Sequence, residues 1–253
     1  MELLINTLEN NSLVTAFAVI GITMYMSYAI SDRFTKGRVH GSAIAIILAL
    51  IVAYFGGVYS GGENGLADIS IFSGIGIMGG AMFRDLAIVS TAFGASISEF
   101  KKVGFAGVLA LFIGVLTSFV VGIIAAYIFG YRDAVSITTI GAGAVTYIVG
   151  PVTGSAVGAS SEVITLSIAA GLVKSILVMV GTPFMAGYIG LDNPRSAIVY
   201  GGLMGTTSGV AAGLAATDPK LVPYGAMTAT FYTGLGCLLA PSVFFIIVAN
   251  LIN

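Results

Sequence analysis

The sequence contains few charged residues. Of its 253 residues only 8% are Asp, Glu, Lys or Arg, while 57% are hydrophobic and none is Trp. A soluble globular protein carries about 25% charged residues, and a chain with a third of that fraction cannot cover its surface in water. Together with a mean hydropathy of +1.05, this scarcity predicts a chain whose solvent is lipid.

Other scarcities exclude several classes of function. Ten basic and eleven acidic residues give a net charge of −1, which leaves no basic surface for nucleic acid. The single cysteine, Cys237, excludes a disulfide framework and a cysteine-based metal cluster. The single histidine, His40, lies in a basic loop, where a solvated side chain is more common than a ligand or a base. Because the sequence has no nucleophile triad, phosphate loop or neighbouring carboxylate pair, an enzyme is not expected.

Six apolar runs are long enough to cross a bilayer, since a helix needs roughly 20 apolar residues to span about 30 Å of hydrocarbon. The first run follows twelve residues that lack Lys and Arg, so it is not a signal peptide and is expected to remain as a membrane helix. Arg84 and Asp85 interrupt the third run, where a structural pair at a helix end is the simpler interpretation. The runs are 13–31, 41–59, 69–90, 103–129, 163–189 and 224–252.

The basic residues predict an orientation in the membrane. Arg33, Lys36 and Arg38 lie in the loop after the first run, whereas the next loop, around Glu63 and Asp68, has no basic residue. Because cytoplasmic loops carry the excess of Lys and Arg, the first of these loops is expected inside the cell. The N-terminus and the C-terminus are then both expected outside.

Two further stretches, 134–158 and 196–217, are apolar but dense in Gly, Ser and Thr. They align at a constant offset of 55, which pairs Gly150 with Gly205 and Gly154 with Gly209. A constant spacing between two similar segments is typical of an internal repeat.

The repeat organises the expected fold. It predicts repeat units at about 132–186 and 187–241 inside a transport region, 132–253, and leaves 1–131 as scaffold and partner interface. The predicted fold class is an all-α polytopic membrane protein with about six to eight membrane helices. Two of its segments are expected to be discontinuous or re-entrant, in an inverted repeat. Whether those segments turn back or cross fully is left open.

Breaks in membrane helices point to a binding site. Unpaired backbone groups cost several kcal/mol in hydrocarbon and are tolerated only where they line a cavity or are buried in protein. Thr153 in the first repeat, and Thr206, Thr207 and Ser208 in the second, are predicted N-caps of half-helices. Pro151 is expected to break the helix ahead of Thr153. The alternative is that these small residues only let helices approach closely.

Lys174 lies in the middle of the run 163–189. A cation inside the membrane costs at least about 2.5–3.5 kcal/mol on insertion scales and is a functional candidate for that reason. It is a candidate charge partner for an anionic substrate. Pairing with an acidic residue of another helix, or with a second subunit, is an equally good interpretation.

Several motifs of the chain resemble the MadM subunit of the bacterial malonate carrier, and the likeness covers nearly the whole chain. The resemblance implies uptake of malonate coupled to Na+, or to H+ in some members, across the bacterial inner membrane, with the smaller subunit MadL as partner. It leaves open whether the subunits form a higher oligomer. The motifs are TIGAGAVTYIVGPVTG at 139–154, the run around Lys174, NPRS at 193–196, GTTSG at 205–209, ATDPK at 216–220 and YGAMTATFYTG at 224–234.

The malonate interpretation places a dianion between two half-helix N-termini, because such termini bind anions. Lys174 is a further candidate for the anion. The candidate anion contacts are Thr153, Gly154, Ser155, Thr207, Ser208 and Gly209, and the candidate Na+ donors are Thr146, Gly150, Gly205 and Thr206.

A weaker likeness runs to the LrgB/CidB membrane proteins and covers about the last 120 residues. It implies, as the alternative, an exporter or holin-like protein for another small metabolite. A coupled carrier would show saturable, gradient-dependent uptake, whereas a holin-like pore would leak dye. In a purely structural subunit, changes in the repeat would alter assembly but not apparent affinity.

Overall fold

The computed structural model describes residues 2–62, 65–78 and 97–252. These residues are helical apart from short loops, and no strand occurs among them. The chain divides into two compact units, Met1–Ser90 and Thr91–Asn253. Most of the run 69–90, including Arg84 and Asp85, lies outside the described residues.

The first unit is built on two long helices. Most of their large side chains, such as Tyr25, Tyr54 and Phe55, are exposed, as expected of helices that face lipid. His40 caps the second of them through its contact with the Ser42 amide, so it is a partly buried cap and not a freely solvated loop residue. The helices are α1 (Glu2–Asn10), α2 (Ser12–Ile30, continued by a π-helical turn, Ser31–Thr35), α3 (Gly41–Ser60) and α4 (Ser73–Gly76), with 3-10 turns at Gly65–Asp68 and Ser70–Phe72.

The second unit holds both Gly/Ser/Thr-rich stretches. Each stretch forms two short helices separated by a break, and a long helix follows each pair. The helices are α5 (Ile97–Ile128, kinked at Gly104), α6 (Ala134–Val145), α7 (Val149–Val157), α8 (Ser161–Met185), α9 (Pro194–Met204), α10 (Thr207–Ala215), α11 (Val222–Leu239, ending in a π-helical turn, Ala240–Phe244) and α12 (Phe245–Ile252).

Five helical segments in the described part of the chain are long and apolar enough to cross a membrane. They match five of the six predicted runs, and the sixth, 69–90, is the one that is largely not described. The fold class, an all-α polytopic membrane protein, is confirmed. The five segments are Ser12–Thr35, Gly41–Ser60, Gly104–Ile128, Ser161–Met185 and Pro219–Ile252.

The first stretch folds back on itself as a helical hairpin. Gly143 of α6 lies against Gly150 of α7, while Thr139, one turn earlier on α6, lies against Gly154, one turn later on α7. Contacts that move in opposite directions along two helices mean that the helices are antiparallel. With 12 and 9 residues at about 1.5 Å each, neither helix reaches across about 30 Å of hydrocarbon.

The long helix α8 runs parallel to α6. Gly143 of α6 packs against the backbone of Ser167, and Tyr147, just beyond α6, packs against Gly171 one turn later on α8. The absence of a Cβ at Gly143 and Gly171 permits both contacts, because a Cβ at either position would collide with backbone atoms. The first repeat is therefore a hairpin followed by a long helix that is parallel to its first arm.

The second repeat has the same plan with the opposite direction. Hydrogen bonds join Ser175 to Thr206 and Thr182 to Tyr200, so α8 and α9 are antiparallel. Gly209 and Gly213 of α10 meet α8 in the order of the chain, so α10 is parallel to α8 and turns back from α9. The two hairpins therefore point in opposite directions, as in an inverted repeat.

The long helix of the second repeat packs on its first arm in the same way as in the first repeat. Gly201 of α9 packs against the Gly225 carbonyl of α11, and Gly205 packs against the Tyr232 ring further along α11, so α9 and α11 are parallel. The pair Gly201–Gly225 corresponds to the pair Gly143–Ser167 of the first repeat. Both repeats thus rest on close contact between a first arm and its long helix.

The offset of 55 between the repeats is wrong. It pairs Gly150, in the first turn of α7, with Gly205, which ends α9. The residues at corresponding breaks, Thr146 and Thr206, are 60 positions apart. The corresponding packing pairs, Gly143–Ser167 and Gly201–Gly225, are 58 apart, so the offset is also not constant. Glycine is so frequent in this chain, at 35 residues, that an alignment of glycines finds a wrong register with many matches.

We predict that Gly201→Ala lowers the melting temperature of the detergent-solubilised protein by several degrees. The added Cβ collides with the Gly225 carbonyl, and overpacking of this kind costs about 1–3 kcal/mol. Gly234→Ala is the matched control, because a Cβ on this exposed residue of α11 meets open space and alanine favours a helix. Equal losses in the two variants would contradict the close packing of α9 on α11.

Candidate functional site

The first helix break lies at residues 146–148. Thr146 is fully extended, with φ −154° and ψ 158°, so the chain leaves α6 at this residue. Its Oγ1 accepts hydrogen bonds from the amides of Ile148 and Val149, both at 3.3 Å. These amides start α7 and have no partner within the helix. Thr146 is therefore the cap of α7.

The predicted cap at Thr153 is wrong. Thr153 lies in the middle of α7, fully buried, and its hydroxyl has no hydrogen-bond partner. Pro151 lies inside α7, near its start, so the break predicted at this proline does not occur there. Of the neighbouring candidates, Gly154 packs against Ile164 and Ser155 is exposed.

The second break lies at Gly205 and Thr206. Gly205 ends α9 in the left-handed region, with φ +72°, and a Cβ there would collide with the Tyr232 ring. Thr206 Oγ1 accepts from the Gly209 amide at 3.3 Å and caps α10. Of the three caps predicted here, Thr206 is the cap, and Thr207 and Ser208 form the first turn of α10.

Lys174 of α8 reaches the first break. Its ammonium donates to the Val145 carbonyl at 2.8 Å, to Ser118 Oγ at 2.9 Å and to the Tyr232 hydroxyl at 3.0 Å. Val145 is the last residue of α6, so the cation lies at the negative end of a helix dipole. Within the described residues these partners are neutral, and no carboxylate pairs with this ammonium.

Ser175, the next residue of α8, reaches the second break. Its hydroxyl is hydrogen-bonded to Thr206 Oγ1 at 2.5 Å, and both residues are fully buried. Consecutive residues, Lys174 and Ser175, therefore contact the two breaks. The structure brings the end of α6 and the start of α10 together around one point on α8.

Tyr232 of α11 completes this arrangement. It is fully buried, and its hydroxyl lies 2.9 Å from the Gly114 carbonyl and 2.8 Å from Ser118 Oγ, in addition to Lys174. Its ring covers Gly205 at the second break. The contact joins Lys174 to a residue 58 positions further along the chain, and the sequence carries no local signal for it.

Helix α5 supplies a stripe of small residues that joins the two repeats. Gly114 packs against α9 at Gly202, and Gly122 packs against α6 at Gly141. Ser118 lies between them on the same face, since residues four apart share a helix face. The spacing Gly-x-x-x-Ser-x-x-x-Gly at 114–122 was the available signal for Ser118, and its small residues favour close helix packing.

The electrostatics of the site suit an anion. The starts of α7 and α10 are positive ends of helix dipoles, and the basic side chain of Lys174 lies beside the first break, at the Val145 carbonyl. No group of three or more His, Cys, Asp or Glu residues capable of holding a metal ion occurs in the described ranges. Thr146 and Thr206 are at most 2% exposed, so both breaks are covered in this conformation.

The predicted Na+ donors divide between the two breaks. Thr146 and Gly150 lie at the first break and in the first turn of α7, and Gly205 and Thr206 form the second break. The hydroxyls of Thr146 and Thr206 already serve as helix caps.

Comparison with known proteins identifies a family. The family model described as the malonate/sodium symporter MadM subunit matches residues 4–252. No curated protein and no solved structure shows a match to the chain.

Replacement of Thr206 by valine should destabilise the protein, whereas the same replacement at Thr153 should not. Thr206→Val removes the cap of α10 and leaves Ser175 without its buried partner, so we expect a loss of about 1–2 kcal/mol. Thr206→Ser keeps the hydroxyl and should retain most of the wild-type stability. Thr153→Val replaces a buried hydroxyl that has no partner and should be neutral or stabilising.

Thermal unfolding of the purified variants in detergent measures this difference. Greater damage from Thr153→Val than from Thr206→Val would show that the cap assignment is wrong.

Proposed function

Because the chain belongs to the family of MadM subunits of malonate/sodium symporters, we propose that it carries malonate at the point where its two helix breaks meet. The observation that carries this proposal is the contact of Lys174 and Ser175 with opposite breaks. An enzyme function has no support in the family to which the chain belongs.

The substrate suits two helix starts. Malonate is a small dianion, and its two carboxylates can each accept from backbone amides at one half-helix N-terminus. In the second repeat Thr207, Ser208 and Gly209 keep their proposed role, since they form the first turn of α10. In the first repeat the start of α7, at 148–150, whose amides bond Thr146 in this conformation, takes over the role predicted for Thr153, Gly154 and Ser155, which lie further along that helix.

The coupling ion of the proposal is Na+. Na+ is a hard cation that binds carbonyl and hydroxyl oxygens, and unwound segments and helix C-termini supply such oxygens in carriers with discontinuous helices. Thr146, Gly150, Gly205 and Thr206 remain its proposed donors around the breaks. The family description supports Na+ as the coupling ion.

Inverted hairpins support transport by alternating access. Two similar structures that point in opposite directions give a site the same means of opening to either side of the membrane. Both breaks are buried in this conformation, so substrate entry requires a movement of the repeats relative to their neighbours. We place the transport function in 132–253, to which Ser118 of α5 adds one side chain, and the scaffold and partner interface in 1–131.

The proposed setting is the bacterial inner membrane, with MadL as the partner subunit. In this orientation the loop with Arg33, Lys36 and Arg38 lies in the cytoplasm and both termini lie outside. The family description names a subunit of a symporter, which supports a partner chain. No observation favours the LrgB/CidB-like exporter or a holin-like pore.

Uptake of labelled malonate into proteoliposomes tests the proposal. The chain, reconstituted with its partner subunit, should take up malonate in a saturable manner when an inward Na+ gradient is imposed, and a H+ gradient alone should drive less. Release of an enclosed dye without saturation by substrate would contradict a coupled carrier.

Within the same assay, Thr146→Val should raise the KM for malonate about fivefold. The variant loses the cap of α7, which is worth about 1 kcal/mol, and so disorders one of the two helix starts. Thr165→Val is the matched control, because Thr165 is exposed on α8 and bonds only within its own helix. An unchanged KM in Thr146→Val would remove the first break from the proposed site.

A further inference from the structure

The surroundings of Lys174 are unusual for a buried cation. An ammonium has three N–H donors, and the three oxygens that it meets are the Val145 carbonyl, Ser118 Oγ and the Tyr232 hydroxyl, at 2.8–3.0 Å. These oxygens come from α6, α5 and α11. We call them the oxygen cage. Among the described residues the cage contains no carboxylate, so the positive charge of Lys174 is not neutralised there.

The oxygen cage consists of the atoms that a hard monovalent cation prefers. A carbonyl at the C-terminal end of a half-helix carries the negative end of the dipole, and in carriers with discontinuous helices such ends coordinate the coupling ion. Two hydroxyls add neutral oxygens. In this conformation the ammonium of the chain itself fills that position.

We propose that the oxygen cage is a Na+ site, separate from the donors proposed at the breaks, that Lys174 fills while the carrier is empty, and that Na+ takes its place when malonate draws the ammonium away. This inference rests on the proposed function, because it assumes that malonate binds at the breaks. The cage cannot hold both cations, since two positive charges within about 4 Å repel each other strongly in a medium of low dielectric constant.

The position of Lys174 allows the exchange. Its flexible side chain lies on α8 beside Ser175, which contacts Thr206 at the start of α10. A dianion at the helix starts would bring two negative charges to a region where the ammonium has no carboxylate partner. The ammonium is then stabilised more by the anion than by the neutral oxygens of the cage. Na+ can replace the ammonium as the cation that these oxygens bind.

The exchange couples substrate to ion. If malonate frees the oxygen cage, malonate raises the affinity for Na+, and by thermodynamic linkage Na+ raises the affinity for malonate by the same factor. A lysine that only caps α6 would produce no such coupling. A lysine that only binds malonate would leave Na+ binding to the empty carrier unaffected by its removal.

Thermal stability of the full-length chain, purified in detergent with its partner subunit, tests the proposal. Melting temperatures are compared in NaCl and in choline chloride at equal ionic strength, because an ion that binds the folded state stabilises it. In the wild type, Na+ should shift the melting temperature little without malonate and clearly with it. Lys174→Gln should show the Na+ shift without malonate, at a half-saturating Na+ concentration at least about tenfold lower than for the wild type.

Two further variants serve as controls. Lys174→Arg keeps the charge and should keep the cage closed to Na+ in the absence of malonate. The double variant Lys174→Gln with Ser118→Ala removes one oxygen of the cage and should lose the gain that Lys174→Gln shows.

The proposal is overturned if Lys174→Gln binds Na+ no better than the wild type in the absence of malonate. If this variant does not fold, the wild type decides: an equal Na+ shift with and without malonate means that Lys174 does not close the cage. Uptake by the wild type in vesicles is measured in parallel. If the wild type shows no Na+-driven malonate uptake, the proposed function is refuted. If uptake is present but the Na+-dependent melting temperatures give either contradicting result, only the Na+ site in the oxygen cage is refuted.

Discussion

Peptide groups that leave a helix inside lipid must find hydrogen-bond partners, because no water is present to satisfy them. Both breaks of the second unit depend on this requirement. Thr146 and Thr206 satisfy amides at the starts of α7 and α10, and Lys174 satisfies the last carbonyl of α6. The residues that stabilise the breaks are therefore the residues that surround the proposed site, so stability and function are coupled here.

The second constraint is the distance between helices. At Gly143, Gly171 and Gly201 the backbones of two helices are in contact, and a Cβ at any of these positions would prevent the contact. These contacts allow the first arm of each repeat to pack on its long helix. Close packing brings Lys174 and Ser175 within reach of two breaks that lie far apart in the chain. The inverted directions of the hairpins follow from the same contacts and provide the two-sided symmetry that a carrier needs.

Much of this arrangement could be predicted from the sequence. Length and apolarity identified the spanning helices, and the density of Gly, Ser and Thr identified both discontinuous segments. The intramembrane charge identified Lys174. These features are local, and each is visible in one segment of the chain.

The features that could not be predicted depend on tertiary contacts. The register of the repeats is set by the capping hydroxyls of Thr146 and Thr206, and a proline in the first turn of α7 is indistinguishable in the sequence from one that ends a helix. Ser118 belongs to the site only because α5 crosses both repeats there. The small-residue spacing around Ser118 favours close packing of α5, but it does not say which helices α5 meets.

A structure of the assembled symporter with malonate and Na+ bound tests the central claim most directly. The account predicts that the carboxylates of malonate lie within hydrogen-bond distance of backbone amides at the starts of α7 and α10, next to Lys174. Malonate bound away from both helix starts, with Lys174 still on the carbonyl of Val145, would contradict it.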